Sequence, residues 1–206
     1  MFAEPRTVLF VDNNMQSRIN HMNRSGLNYQ SKGTWTKRFM AAAVVQGAVV
    51  AGLTVFLVLG QISFIKPEVS RVMAAGGAGT WFTFGYMMYI IVGVMGVAVS
   101  ALFYHYLENV LGRRIRRSAK ALAWTHLVLM NVGTAAAMGL LMYAGYLGGS
   151  SMLPENVGGQ GFNAGQAHEI LAPFVEPISV AILVIVASVV AGGTGFLMTY
   201  RYSNTS

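Results

Sequence analysis

Four long apolar stretches, separated by shorter polar ones, divide the chain. They run from Phe39 to Ile65, Trp81 to Gly112, Ala121 to Gly149 and Ile178 to Tyr200. Each exceeds the roughly 20 apolar residues that carry a helix across a ~30 Å hydrocarbon core. The two central runs contain no proline, and Glu108, near the end of the first of them, is their only charge. A basic hinge, RRIRRSAK from Arg113 to Lys120, joins them, so the pair reads as a transmembrane helical hairpin. The pattern predicts an all-α integral membrane protein with four transmembrane helices at about 39–65, 81–108, 121–147 and 178–200.

The stretches between them read as arm, hinge and loops. Residues 1–38 form a polar, basic cytoplasmic arm ahead of a transmembrane domain at 39–206, and no secretory signal-peptide pattern opens the chain. Lys66 to Thr80 is predicted as a loop with a Gly/Ala-rich end, and Gly148 to Glu176 as a long glycine-rich loop. Within the latter, Asn163–Val175 is predicted as a short surface helix ended by Pro173 and Pro177.

Composition agrees with this reading. Of the 206 residues 54% are hydrophobic and 10% charged, and the mean hydropathy is +0.53. Soluble domains carry about 25% charged residues. The chain has no cysteine, which excludes disulfides, thiolate metal sites and cysteine nucleophiles.

The net charge of +7 changes the picture only through its placement. Arg6, Arg18, Arg24, Lys32, Lys37 and Arg38 lie in the arm, five more cations in the hinge, and Arg201 at the C-terminal end. In a four-span bundle these all fall on one side, and the opposite loops hold only Lys66 and Arg71. The positive-inside rule then puts both termini and the hinge in the cytoplasm, as expected of a multi-pass plasma-membrane protein. Trp35, Trp81 and Trp124 fall near predicted span ends, where indoles favour the interface. The basic excess therefore reads as topology and contact with anionic lipids, and nucleic acid is not an expected partner.

Small residues recur four apart: Ala43, Gly47 and Ala51; Gly96 and Ser100; Gly133 and Ala137, with Ala135 and Gly139; Ala187, Ala191 and Gly195. Such stripes let helix backbones approach closely in lipid. The thirteen methionines read as flexible apolar filling, since no close pair of them accompanies a histidine in a water-facing loop as a soft copper site would need.

Candidate chemistry is sparse. The polar side chains inside the spans are Gln46, Gln61, His105, Glu108, His126, Asn131 and several Ser and Thr. No ionisable residue stands at mid-span, which argues against a proton pump or ion-coupled transporter. His105 and His126 are the sharpest pair, because an antiparallel hairpin brings them to similar depth, where two histidines can ligate a b-type haem axially. The alternative for both is an interfacial belt with Tyr104, Tyr106 and Trp124. His168 with Glu169 lacks the second histidine of a zinc helix motif, and His21 lies in the arm; neither is assigned a role.

The central hairpin resembles the C-terminal part of subunit I of the haem-copper oxygen reductases. Thr83-Phe84-Gly85-Tyr86-Met87-Met88 falls where that family has a His-Phe-His-Tyr-type motif. Phe103-Tyr104-His105-Tyr106 resembles the aromatic end of that helix and Gly112-Arg113-Arg114 its turn. Trp124 through Asn131 and Gly133, then Gly145–Gly149, resemble the next helix. The family's two motif histidines bind the two haem irons; Thr83 and Gly85 stand in their places here and cannot ligate iron through a side chain. The resemblance thus implies a degenerate, non-catalytic relative with no cofactor of its own. It would be an accessory subunit whose partners are other membrane subunits of a redox complex, together with lipids. The alternatives are a helical subunit of another membrane enzyme, such as a copper membrane monooxygenase, or a small cytochrome holding haem b through His105 and His126.

Overall fold

Backbone N–H and C=O groups find no water inside a bilayer, so a spanning chain must satisfy them within itself, and these apolar runs do so as helices. In this computed structural model, which describes Arg18 and residues 33–201, four helices are long and apolar enough to cross a membrane. They are α1 (Thr34–Ser63), α3 (Gly77–Val110), α4 (Arg117–Ser151) and α5 (Ala164–Arg201), with a short α2 (Val69–Ala74) between the first two. No strand occurs among the described residues. The arm lies outside them apart from Arg18 and residues 33–38, and His21 with it.

The helices reach beyond the predicted spans. Residues 34–38, placed in the arm by sequence, form the first turn of α1. Gly148 and Gly149, expected in a loop, belong to the last turns of α4, where they pack against α5 and the start of α3. The largest correction is at α5. Asn163–Val175 is not a separate surface helix, because one helix continues through Pro173 and Pro177 to Arg201. The prolines stand four apart, so the donors they lack are those that would reach the carbonyls of Glu169 and Pro173. Both prolines are exposed, and Ala167 and Leu171 before them are buried against Ala144 and Ala78, which holds the two parts of the helix in line.

Helix α3 contains two π-helical stretches, Tyr89–Gly96 and Tyr106–Val110. Its inward positions Gly85, Tyr89, Gly93, Val97 and Ala101 follow at intervals of four. In a regular α-helix each such step overshoots a full turn by about 40°, and the row would wind off the inner face. The wider π turns remove that drift and keep the row facing its neighbours.

Helix α4 packs along most of α5 on one side and against α3 on the other, while α1 lies chiefly on α3. The α3–α4 contact is backbone on backbone: a Cβ built at Gly145 would lie 2.1 Å from the Phe82 amide nitrogen. Gly133 and Ala137 are buried as their spacing predicts. The α5 stripe is the expected one only at Gly195. Ala187 is exposed, and the seam is made by Ile178, Ala181, Ser188, Gly192, Gly195 and Thr199. The loop before α2 pairs Glu68 with Lys66 and with Arg71 (2.9 Å), so both cations at this end of the bundle are matched by a carboxylate. The Lys66 ammonium beside it holds the Glu68 carboxyl below its usual range.

Candidate functional site

At the arginine-rich end, the problem is the start of α1. The first N–H groups of a helix lack intrahelical partners, and the residue before α1 is Gly33, which has no side chain to offer them. Glu108, near the end of α3, supplies the acceptor from 73 residues away. Its carboxylate receives the Trp35 N–H (3.0 Å to Oε2, 3.2 Å to Oε1), the Thr36 N–H (3.0 Å) and the Thr36 hydroxyl (3.1 Å). Trp35 and Thr36 occupy the two positions that a side-chain cap ordinarily serves. The negative charge also meets the positive end of the α1 dipole.

A cleft of about 480 Å³ surrounds this cap, lined by Arg38, Arg113, Arg114 and Lys120 with Trp35 and Trp124. The Arg38 guanidinium lies 4.7 Å from the ring centres of both tryptophans, a cation–π arrangement that fixes it at the rim. The arrangement is suited to an anionic headgroup at the membrane surface.

Deeper in the bundle, polar side chains join helices to one another. The Tyr89 hydroxyl donates to Gln46 Oε1 (2.7 Å), Gln46 Nε2 donates to Asn131 Oδ1 (2.8 Å), and Asn131 Nδ2 donates to the Leu127 carbonyl (2.6 Å). One chain of bonds thus ties α3 to α1 and α1 to α4. Tyr86 and Thr54 hydroxyls meet at 2.7 Å, and Thr54 in turn donates to the Val50 carbonyl. In an apolar medium such a network must be satisfied throughout, and this one is extended across three helices.

His126 is buried where α3, α4 and α5 meet. Its Nδ1 lies 2.9 Å from the Ser188 carbonyl, which can only accept, so the proton is assigned to Nδ1. Its Nε2 faces the Ser100 hydroxyl at 3.0 Å. Ser188 returns a bond from its hydroxyl to the His126 carbonyl (2.9 Å). Gly192 makes room for the ring, since a Cβ there would stand 2.7 Å from His126 Cγ.

His105 is elsewhere. It is exposed, and its Nδ1 accepts from Asn109 Nδ2 (2.8 Å) one turn along the same helix. An axial haem pair must direct both imidazoles at one iron. Here one ring is turned outward and the other has both nitrogens engaged by serines, so the two histidines do not form such a pair. No group of three or more His, Cys, Asp or Glu side chains gathers among the described residues.

Beside His126 an apolar groove of about 500 Å³ opens between α3 and α5. Ser100, Tyr104 and His126 are its lining residues with polar side chains; Phe103, Met130 and Phe196 are among its apolar ones. The Tyr104 hydroxyl is buried and finds no hydrogen-bond partner among the described residues. The tyrosine ring is fixed by stacking on Phe39 at 4.6 Å between centres.

Sequence reasoning singled out His126, Glu108, Gln46 and Asn131 as costly polar residues, but not Ser188 or Tyr89 as their partners' counterparts. A serine at the middle of the fourth apolar run was the available signal for the first. No protein family, curated protein or solved structure matches the chain.

Proposed function

We propose that this chain is a non-catalytic accessory subunit of a membrane respiratory redox complex, a haem-copper terminal oxidase, with both termini in the cytoplasm. The observation that carries this reading is the use of the polar side chains inside the spans. Glu108, Gln46, Asn131 and His126 all bond other helices of the same chain, which is what holding a scaffold together requires. Broad apolar faces remain outside: only 11% of the most apolar window of α1 is buried, and 22% of that of α5. Such faces fit lipid and neighbouring subunits. The resemblance of the Thr83–Met88 stretch and the following helix supports the link to an oxidase, and Thr83 and Gly85 in place of the motif histidines support the non-catalytic role.

Gentle detergent purification of the native chain, followed by mass spectrometry of what comes with it, tests this. A full-length haem-bearing oxidase subunit is the expected companion. Recovery with a different membrane enzyme keeps the scaffold role and overturns the oxidase assignment. Recovery of the chain alone overturns the accessory reading.

The orientation has its own test, made clean by the absence of native cysteine. Ser118 in α4 and Gln160 in the loop before α5 are both exposed and stand at opposite ends of the bundle. A membrane-impermeant maleimide added to intact spheroplasts is expected to label Gln160→Cys and to spare Ser118→Cys until the membrane is opened. The reverse pattern inverts the topology.

A further inference from the structure

The cleft at the arginine-rich end gathers cations from three segments far apart in sequence. Arg38 comes from α1, Arg113 and Arg114 from the hinge, and Lys120 from the first turn of α4. Glu108 is the one carboxylate in the lining, and its oxygens are taken by the Trp35 and Thr36 N–H groups. Those N–H groups are in turn closed to any other anion, so a ligand here must be held by side chains. Among the described residues no carboxylate forms an ion pair with Arg38, Arg114 or Lys120, whereas Lys66 and Arg71 at the opposite end share Glu68. Cations held together without an answering charge repel one another, and an anion placed among them removes that cost.

The anion that fits best is a phosphate. The Arg38 guanidinium lies 4.7 Å from the ring centres of Trp35 and Trp124, whose rings stand 5.5 Å apart and close to perpendicular (80°). A planar donor fork fixed in this way has little freedom left to lose when it meets two phosphate oxygens.

The surroundings of the cleft indicate what carries the phosphate. Trp124 lines it and is exposed, and Val128 and Val132, one and two turns further into the span, are exposed as well. This row makes an apolar track of about 12 Å along α4, leading from the cleft toward the hydrocarbon core. A lipid whose phosphate sits on the arginines has its acyl chains on that track, and a free phosphate uses none of it. A zwitterionic headgroup would bring a further cation into an already positive site, and an anionic one would not.

We propose that this cleft is a binding site for an anionic phospholipid. Arg38, Arg114 and Lys120 hold its phosphate, and its acyl chains lie along Trp124, Val128 and Val132. The site is independent of the complex that the chain joins.

Thermal unfolding of the purified full chain in detergent tests it, with phosphatidylglycerol, phosphatidylcholine and inorganic phosphate titrated separately over the same concentrations. A ligand that binds the folded state raises the unfolding midpoint in a saturable way, and only phosphatidylglycerol is expected to do so. Two double variants separate the cleft from the general charge of this end. Arg114→Gln with Lys120→Gln removes two exposed cations of the cleft. Lys37→Gln with Arg117→Gln removes two exposed cations at the same end that do not line it. Both pairs are expected to keep the lipid-free midpoint, as exposed substitutions do. The cleft pair is expected to need about tenfold more phosphatidylglycerol for half the effect, and the other pair to respond nearly as the native chain does.

An equal loss in the two pairs means that the lipid answers to the charge of the whole end, and overturns the site. No response to phosphatidylglycerol, or an equal one to phosphatidylcholine, overturns it too. If inorganic phosphate raises the midpoint as much as phosphatidylglycerol does, the cleft takes free phosphate and the lipid assignment falls.

Discussion

Replacing Glu108 by alanine is expected to destabilise the protein by about 2–3 kcal/mol, although the residue lies at the very end of a span. The carboxylate is 5% exposed and accepts from two backbone N–H groups and a hydroxyl at the start of α1. Loss of a helix cap costs about 0.5–2 kcal/mol, and each donor left buried without an acceptor about 1–3 kcal/mol. Water entering the neighbouring cleft will satisfy part of what is lost, which keeps the sum at the lower end. Glu108→Gln retains an acceptor oxygen without the charge and should recover about half the loss. Equilibrium unfolding of the three proteins in mixed micelles measures this. An alanine variant as stable as the native chain would show that α1 is capped from within its own sequence.

The second large effect is expected at Gly145. The Cβ of an alanine there would lie 2.1 Å from Phe82 N and 2.7 Å from Trp81 C. Those are backbone atoms, which cannot rotate away as a side-chain tip can, so α3 and α4 must separate. Separation also loosens the neighbouring approach of Gly85 to the α4 backbone, where a Cβ would stand 2.9 Å from Met138 O. Overpacking of this kind costs about 1–3 kcal/mol, and a backbone clash belongs at the upper end. Gly139→Ala on the same helix is the control, since its Cβ meets nothing within 4 Å and should change stability by no more than about 0.5 kcal/mol. Equal unfolding midpoints for the two variants would sink the claim that the hairpin is closed by backbone contact.

The errors at the helix ends have a common cause. Proline and glycine read as stops because, in water, each weakens a helix by a local amount that nothing nearby restores. Pro173 and Pro177 sit in a helix whose buried face, Ala167, Leu171 and Ile178, is clamped along α4 and the start of α3. Gly148 and Gly149 are where α4 meets Leu171 and Gly79, so there the small residue is what permits the contact. The same residue types break one helix and join another, depending on what stands opposite.

Four spans, their approximate positions and the concentration of arginine at one end were fixed by features local to each segment. A bilayer selects length and apolarity without reference to what a helix packs against, so these were readable residue by residue. The partners were not. That Glu108 serves Trp35 and Thr36, that His126 turns to Ser188 rather than toward His105, and that the Tyr104 hydroxyl is buried with no partner among the described residues all depend on how each helix is rotated about its axis. That rotation is set by the π turns of α3 and by glycine contacts between helices far apart in sequence, and only the packed bundle brings them together.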